Sequence, residues 1–238
     1  MSFVLDETES TQTYLKALLN SGKGVISHLD YVLAQKQTAG QGRQGRSWVS
    51  EPGNLFISIW VRDFELPVTW IPHFVSIALI KVFKSYSVSS SRLQIKWPND
   101  VLVDGEKKIS GILCEKIGDG VLVGVGVNLL SAPDLSERKT SSLLSLAPDL
   151  KKEGLNIDFK DRLIDFLKDE PSLEALKNEY QEKSILKAGD PLQWEDLQTH
   201  QKGAGHFLRY GNFGEMIAQT EKGEHTLFSE EVHLSKNN

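Results

Sequence analysis

Residues 93–129 read LQIKWPNDVLVDGEKKISGILCEKIGDGVLVGVGVNL, and this stretch sets the fold class. Four runs rich in Val, Ile and Leu (93–97, 101–104, 108–116 and 120–129) are divided by Pro98-Asn99-Asp100, Asp104-Gly105-Glu106 and Gly118-Asp119-Gly120. Connections this short join antiparallel neighbours, because a parallel crossover needs about a dozen residues or more. A meander of hairpins is therefore expected. Gly124 and Gly126 fall inside its last strand. Interior glycines weaken a strand unless something must approach closely, and on this segment alone a β-bulge is the simpler reading.

Outward from the meander the chain alternates in texture. Segment 8–21 opens with Ser and Thr, repeats Tyr14, Leu15, Leu18 and Leu19 at helical spacing and stops at Gly22, so it reads as a capped helix. Tyr31–Gln35 and Asn54–Val61 read as strands. Residues 70–86 carry one apolar stripe (Ile71, Phe74, Val75, Ala78, Leu79, Val82, Phe83), the pattern of an amphipathic helix. Helical spacing returns over 157–182, divided at Pro171. From Ser184 short strand-like runs alternate with turns, of which Gly211-Asn212-Phe213-Gly214 is the strongest. The expectation is an α+β domain over residues 1–183 and a small β-barrel over 184–238.

The chain has 238 residues, a net charge of −5 and 39% hydrophobic residues, enough for a sizeable core. An acidic balance argues against a general nucleic-acid binder, and the C-terminal strands show no basic stripe, so no DNA partner is expected. The single cysteine, Cys114, excludes an internal disulfide and suits a reducing compartment. The six histidines show no metal-ligand spacing and read as surface or barrel residues, so no metal site is expected from protein ligands. No basic stretch leads into an apolar run at the N-terminus, and no run is long enough to span a membrane. A cytoplasmic protein is expected.

Three clusters could carry chemistry. Gly40-Gln41-Gly42-Arg43-Gln44-Gly45 spells a dinucleotide-loop pattern, but a strand rather than a helix comes next, so the context for pyrophosphate is missing. A better reading is a mobile loop that orders around an anion: glycine N–H groups approach phosphate oxygens, Arg43 and Arg46 add fixed charge, and Trp48 offers a face to a nucleobase. An exposed linker with incidental arginines fits the loop alone equally well. In Lys96-Trp97-Pro98-Asn99-Asp100, Lys96 stands at a strand end where it could hold a carboxylate or phosphate; alone it also reads as an edge-strand lysine. Asn128 ends the fourth run and could read a ligand edge. Ser10, Thr11 and Gln12 stand at a helix start, where capping is the plain role, and Gln37 lies just after the first of the two outer strands.

Together these pieces resemble the biotin–protein ligase family. The resemblance rests on Glu9-Ser10-Thr11-Gln12, on Gln37 through Trp48, on Lys96-Trp97-Pro98-Asn99-Asp100, on Lys108-Ile109-Ser110-Gly111-Ile112-Leu113 and on Gly124-Val125-Gly126-Val127-Asn128. It covers about the first 130 residues closely and the C-terminal part loosely. It implies a mixed sheet flanked by helices, an SH3-like C-terminal domain and the short class without a DNA-binding extension. The implied reaction joins biotin and ATP, with Mg²⁺ on the phosphates, to biotinyl-5′-AMP. The biotinyl group then passes to a lysine of a biotin carboxyl carrier domain. The resemblance puts Ser10, Thr11, Gln12, Gln37, Gln41, Gly42, Arg43, Lys96 and Gly111 at biotin, and Arg43, Arg46, Trp48, Asn99 and Asn128 at ATP. Lys96 and Arg43 would be the catalytic cations, and Asp100 an orienting group or base for the transfer. Gln41 stands where many members carry Arg, which removes one charge from the loop. A homodimer stays open. The nearest rival is a lipoate or octanoyl ligase or transferase of the same fold.

Overall fold

The computed structural model describes residues 1–22, 25–196, 200–228 and 231–234. The chain runs β1 (Phe3–Thr8), α1 (Thr11–Ser21), β2 (Tyr31–Gln37), β3 (Leu55–Val61), α2 (Ile71–Ser85), β4 (Leu93–Lys96), β5 (Asp100–Val103), β6 (Lys107–Ile117), β7 (Gly120–Val127) and α3 (Leu143–Leu146). It continues with α4 (Leu155–Lys168), α5 (Leu173–Lys183), β8 (Pro191–Glu195), β9 (Lys202–Tyr210), β10 (Met216–Thr220), β11 (Gly223–Leu227) and β12 (Glu231–Leu234).

The meander forms as expected. β4, β5, β6 and β7 pair antiparallel in succession, and Asp104 and Gly105 take the left-handed conformation (φ 53° and 77°) that a tight hairpin turn requires. They belong to a mixed seven-stranded sheet ordered β1-β2-β3-β7-β6-β5-β4. Among the described strand pairs of this sheet only β1–β2 is parallel, and α1 makes that crossover.

The two faces of the sheet differ. Val121, Val123, Val125 and Val127 of β7 and Leu55, Ile57, Ile59 and Val61 of β3 enter the main core under α2, α4 and α5. The alternate residues face α1, where Trp60, Leu122 and Leu15 form a smaller core at one end. Further along that face β3 offers Ser58, and β7 offers Gly124 and Gly126. Alternation alone thus turns the hydrophobic run of β7 into a packed wall on one side and a shallow groove on the other. The expected bulge is absent: β7 keeps register with β3 and β6 through both glycines. Their reason is close approach, since a β-carbon at Gly126 would strike the Trp48 indole and one at Gly124 would stand 2.7 Å from Gln12 Oε1.

The C-terminal SH3-like unit is a five-stranded antiparallel sheet, ordered β11-β10-β9-β8-β12. Its turn 211–214 is held by two indoles from outside that sheet, one just before α2 and one in the β4–β5 turn: Trp70 Nε1 donates to the Asn212 carbonyl (2.7 Å) and Trp97 Nε1 to the Gly214 carbonyl (2.9 Å). His73, on α2, packs among Trp70, Tyr180 and Gly214. It is 3% exposed, which corrects the expectation that all six histidines are surface or barrel residues. Burial lowers its pKa to about 4. No helix among the described residues is long and apolar enough to cross a membrane.

Candidate functional site

The groove on the α1 side is completed by four segments that the sheet brings together. The first is the start of α1. Ser10 caps the helix by accepting from Thr13 N, so the plain role holds, and the turn it fixes places Thr11 and Gln12 over β3. Gln37 Oε1 accepts from Thr11 N at 2.9 Å, and Gln37 Nε2 donates to Ser50 Oγ at 3.3 Å. The Thr11 and Ser58 hydroxyls lie 2.9 Å apart, and Ser58 donates to Gln12 Oε1 at 3.0 Å. This buried chain of amides and hydroxyls is fixed by its own partners and presents a preorganised polar end to the groove.

The second segment is the glycine loop. Gly42 N donates to Arg46 O (2.7 Å) and Trp48 N to Gly40 O (2.9 Å), which folds the loop into a tight hairpin. Gln44 and Gly45 lie in the left-handed region at its tip (φ 58° and 71°). Arg43 Nη1 donates to Asn99 Oδ1 at 3.2 Å, and Asn99 Nδ2 donates to the Ile112 carbonyl at 2.8 Å. Gln41 Nε2 reaches Thr13 Oγ1 at 3.4 Å. Trp48 lies across Gly111 and Gly126 and leaves its buried Nε1–H without an acceptor.

The third segment is the β4–β5 turn. Lys96 ends β4 and is exposed, directly paired in the ladder with Asp100. The fourth is loop 131–141, a little beyond Asn128. Asn128 is buried and its Nδ2 donates to the Ser141 carbonyl (3.1 Å), so its amide props that loop.

These segments enclose two adjoining cavities. The larger, about 490 Å³, is lined by Arg43, Arg46, Trp48, Lys96, Asn99, Asp100, Asn128 and Arg138. The smaller, about 60 Å³, is lined by Ser10, Thr11, Gln12, Gln37, Gln41, Gly42, Gly111 and Gly124. Trp48, Arg43, Asn99 and Lys108 border both. A further cleft of about 470 Å³ continues from the larger one past Lys96 and Arg138 to Leu186 and Met216 at the C-terminal unit.

Lys108 joins the site although sequence reasoning does not single it out. Its ammonium is 2.6 Å from Asp100 Oδ1 and 5.3 Å from the centroid of a Trp48 ring. Burial holds its pKa below the usual lysine range, and Asp100 pushes the other way. A lysine inside an otherwise apolar strand is the available signal, blurred by its neighbour Lys107. Ser58, buried in the middle of NLFISIWV, escapes in the same way. Burial pushes the Cys114 thiol up to about 12, so it stays protonated and offers no nucleophile.

The sequence model of the biotin/lipoate A/B protein ligase family matches residues 4–130. The chain belongs to that family. The match spans the seven-stranded sheet and all four segments of the groove except loop 131–141. Among its members, the biotin–[acetyl-CoA-carboxylase] ligase of Mycobacterium tuberculosis is 32% identical over 192 residues, covering 76% of this chain and 70% of the relative. The enzyme of the same description from Paracoccus denitrificans is 41% identical over 116 residues, covering 46% of this chain and 48% of the relative. Among solved structures, the biotin protein ligase of Aquifex aeolicus in complex with biotin and ATP superposes with a TM-score of 0.78 at 25% identity, covering 98% of this chain and 99% of that one. The likeness of fold therefore extends beyond the matched residues through the C-terminal sheet.

Proposed function

We propose that the protein is a biotin–protein ligase that works in two steps at the paired cavities. The observation that carries this is the arrangement itself: a narrow polar pocket beside a wide cationic one, with Trp48, Arg43, Asn99 and Lys108 on their common border. The relatives support it, since the M. tuberculosis and P. denitrificans proteins bear the biotin ligase name and the Aquifex neighbour was solved with biotin and ATP. Each of these is a biotin ligase, which favours biotin over lipoate or octanoate.

In this reading biotin lies over Gly111 and Gly124, its ring head on the Thr11, Gln12, Ser58 and Gln37 network and its carboxylate toward Lys108 and Lys96. The smaller pocket is too narrow for a bicyclic ring while Trp48 lies over it, so the glycine loop swings out to admit biotin and closes again. ATP occupies the larger cavity, with Trp48, Asn99 and Asn128 toward its base and Arg43 and Arg46 toward its phosphates. A biotin carboxylate oxygen attacks the α-phosphorus and pyrophosphate leaves. Both partners are anions, so catalysis is mostly positioning and positive potential, which Lys96, Lys108 and Arg43 supply.

Among the described residues no cluster of three or more His, Cys, Asp or Glu side chains is poised for a metal. Magnesium that arrives on phosphates needs only one or two carboxylates, and Asp100 and Glu137 on the cavity wall fit that need. Bound there it would offset charge on the leaving pyrophosphate. The product is a mixed anhydride, and the closed loop keeps water from it. In the second step the amine of a carrier lysine attacks the biotinyl carbonyl and AMP leaves, with Asp100 orienting the amine or taking its proton. The acceptor is the biotin carboxyl carrier domain of a carboxylase. We divide the chain into a catalytic unit, 1–183, and a C-terminal unit, 184–238, and place the reaction in the cytoplasm. The test is to incubate the protein with biotin, MgATP and a carrier domain and weigh the carrier. One added biotinyl group is expected. Labelling with lipoate and not biotin, or no labelling at all, refutes the reading.

A further inference from the structure

Asn54 lies just before β3 and is completely buried (0% exposed). Its Oδ1 accepts from three successive backbone groups, Leu129 N (2.8 Å), Leu130 N (2.9 Å) and Ser131 N (3.3 Å), while its Nδ2 donates to the Ser131 carbonyl at 3.1 Å. Two neighbours add to this grip. Glu51 accepts from the Ser131 hydroxyl, and Gly53, at φ 84°, leaves the space that the Leu130 side chain occupies. One short segment thus holds residues 129–131 by a side-chain amide, a carboxylate and a close backbone approach.

Beyond Ser131 the chain forms one wall of the larger cavity, which Pro133, Leu135, Glu137, Arg138 and Thr140 all line. The far end of that loop is tied separately, by Lys108 N to the Lys139 carbonyl (2.9 Å) and Ser141 N to the Lys108 carbonyl (3.0 Å). The wall is therefore a loop clamped at both ends, and Asn54 is the clamp at its start. The Asn54 clamp does not touch the smaller pocket, whose lining does not include Asn54, Leu129, Leu130 or Ser131.

We propose that Asn54 is a positioning residue for the nucleotide: by fixing 129–131 it sets where Glu137 and Arg138 stand in the larger cavity. This rests on reading that cavity as the ATP site. An amide that served only the fold would, when lost, weaken both substrates and turnover together. A clamp on one wall weakens ATP and spares biotin.

The experiment uses the full chain and the variants Asn54→Ala, Asn54→Ser and Asn54→Asp. Biotin-dependent pyrophosphate release is measured against ATP concentration, and biotin binding is measured by calorimetry without nucleotide. Asn54→Ala is expected to raise KM for ATP about tenfold or more while biotin affinity stays within about twofold. Asn54→Asp keeps the triple acceptor, loses the donor to the Ser131 carbonyl and adds a charge that the three backbone N–H groups stabilise, so it is expected to return KM to within about threefold of the parent. Should Asn54→Ala fail to fold, Asn54→Ser, which keeps one short acceptor, is read the same way. An unchanged KM for ATP, or biotin affinity falling in step with it, overturns the proposal. A parent that releases no pyrophosphate with biotin refutes the ligase reading instead. The clamp is then judged by hydrogen exchange: faster exchange across 129–140 in Asn54→Ala supports it, and unchanged exchange overturns it.

Discussion

Replacing Gly126 by alanine adds one methyl group where the groove floor meets Trp48. The new β-carbon would stand 2.6 Å from Cζ2 and 2.8 Å from Nε1 of the indole, where ordinary contact begins near 3.4 Å. The strand cannot retreat, because Gly126 is paired with Phe56 on one side and Gly111 on the other. The indole must therefore shift by nearly an ångström, and overpacking of this kind costs about 1–3 kcal/mol. Trp48 hangs on a surface hairpin, so the cost falls on the closed loop rather than on the sheet. The expected result is a KM for ATP raised about 10- to 100-fold, and faster escape of the adenylate in a rapid-filtration assay. Tm should fall by no more than about 2–4 °C. A double-mutant cycle sharpens the test: in a Trp48→Ala background the extra methyl has nothing to strike and should cost little. Equal KM and equal adenylate retention in Gly126→Ala, or additive effects in the cycle, would show that Trp48 does not close against this strand.

Other perturbations probe the same geometry. Lys96→Ala should lose about 2–5 kcal/mol of transition-state stabilisation for adenylate formation with Tm unchanged; near-normal pyrophosphate release would remove Lys96 from the mechanism. Lys108→Ala should lose as much and also lower Tm, because it leaves the Asp100 carboxylate without its cation in a mostly buried place; a Tm equal to the parent's would refute that coupling. Arg43→Gly cuts the tie to Asn99, so the adenylate should escape and label bystander proteins in a mixture with biotin and MgATP, and absence of such labelling would count against the loop as a seal. His73 is neutral in the fold, with its pKa lowered from 6.5 to about 4. On acidification the unfolded chain takes up this proton first, so the His73 contribution to stability is constant above about pH 7 and about 3 kcal/mol of it is lost between pH 6.5 and 4. Denaturant melts of the parent and His73→Gln should diverge over that window, and parallel curves would contradict the buried assignment.

How much was legible depended on whether the signal was local. The hairpins of 93–129 could be read because three turn sequences stand between four apolar runs, and the C-terminal strands for the same reason. β1 escaped: FVLDET alternates only weakly, with Val4 left exposed at the sheet edge, and its partner β2 lies across a helix. Gly124 and Gly126 read as a bulge because the groups that approach them, from Gln12 and Trp48, come from distant segments that no strand pattern records. The same holds for His73, whose burial depends on Gly214 and Tyr180 arriving from other elements. Lys108 reads as one of two adjacent lysines until the fold places an indole above it and a carboxylate beside it. The residue types of the groove were thus visible early, and their division between two cavities required the tertiary structure.

Of the two indole hydrogen bonds to the turn 211–214, the one from Trp97 ties the C-terminal unit to the stretch that bears Lys96 and Asp100, and the one from Trp70 ties it to the start of α2. A tug on the small unit is transmitted through the Trp97 ring to the neighbouring Lys96. Trimming the chain after α5 would take away that indole's acceptor and slacken its backbone. The small unit thereby buttresses the turn between β4 and β5.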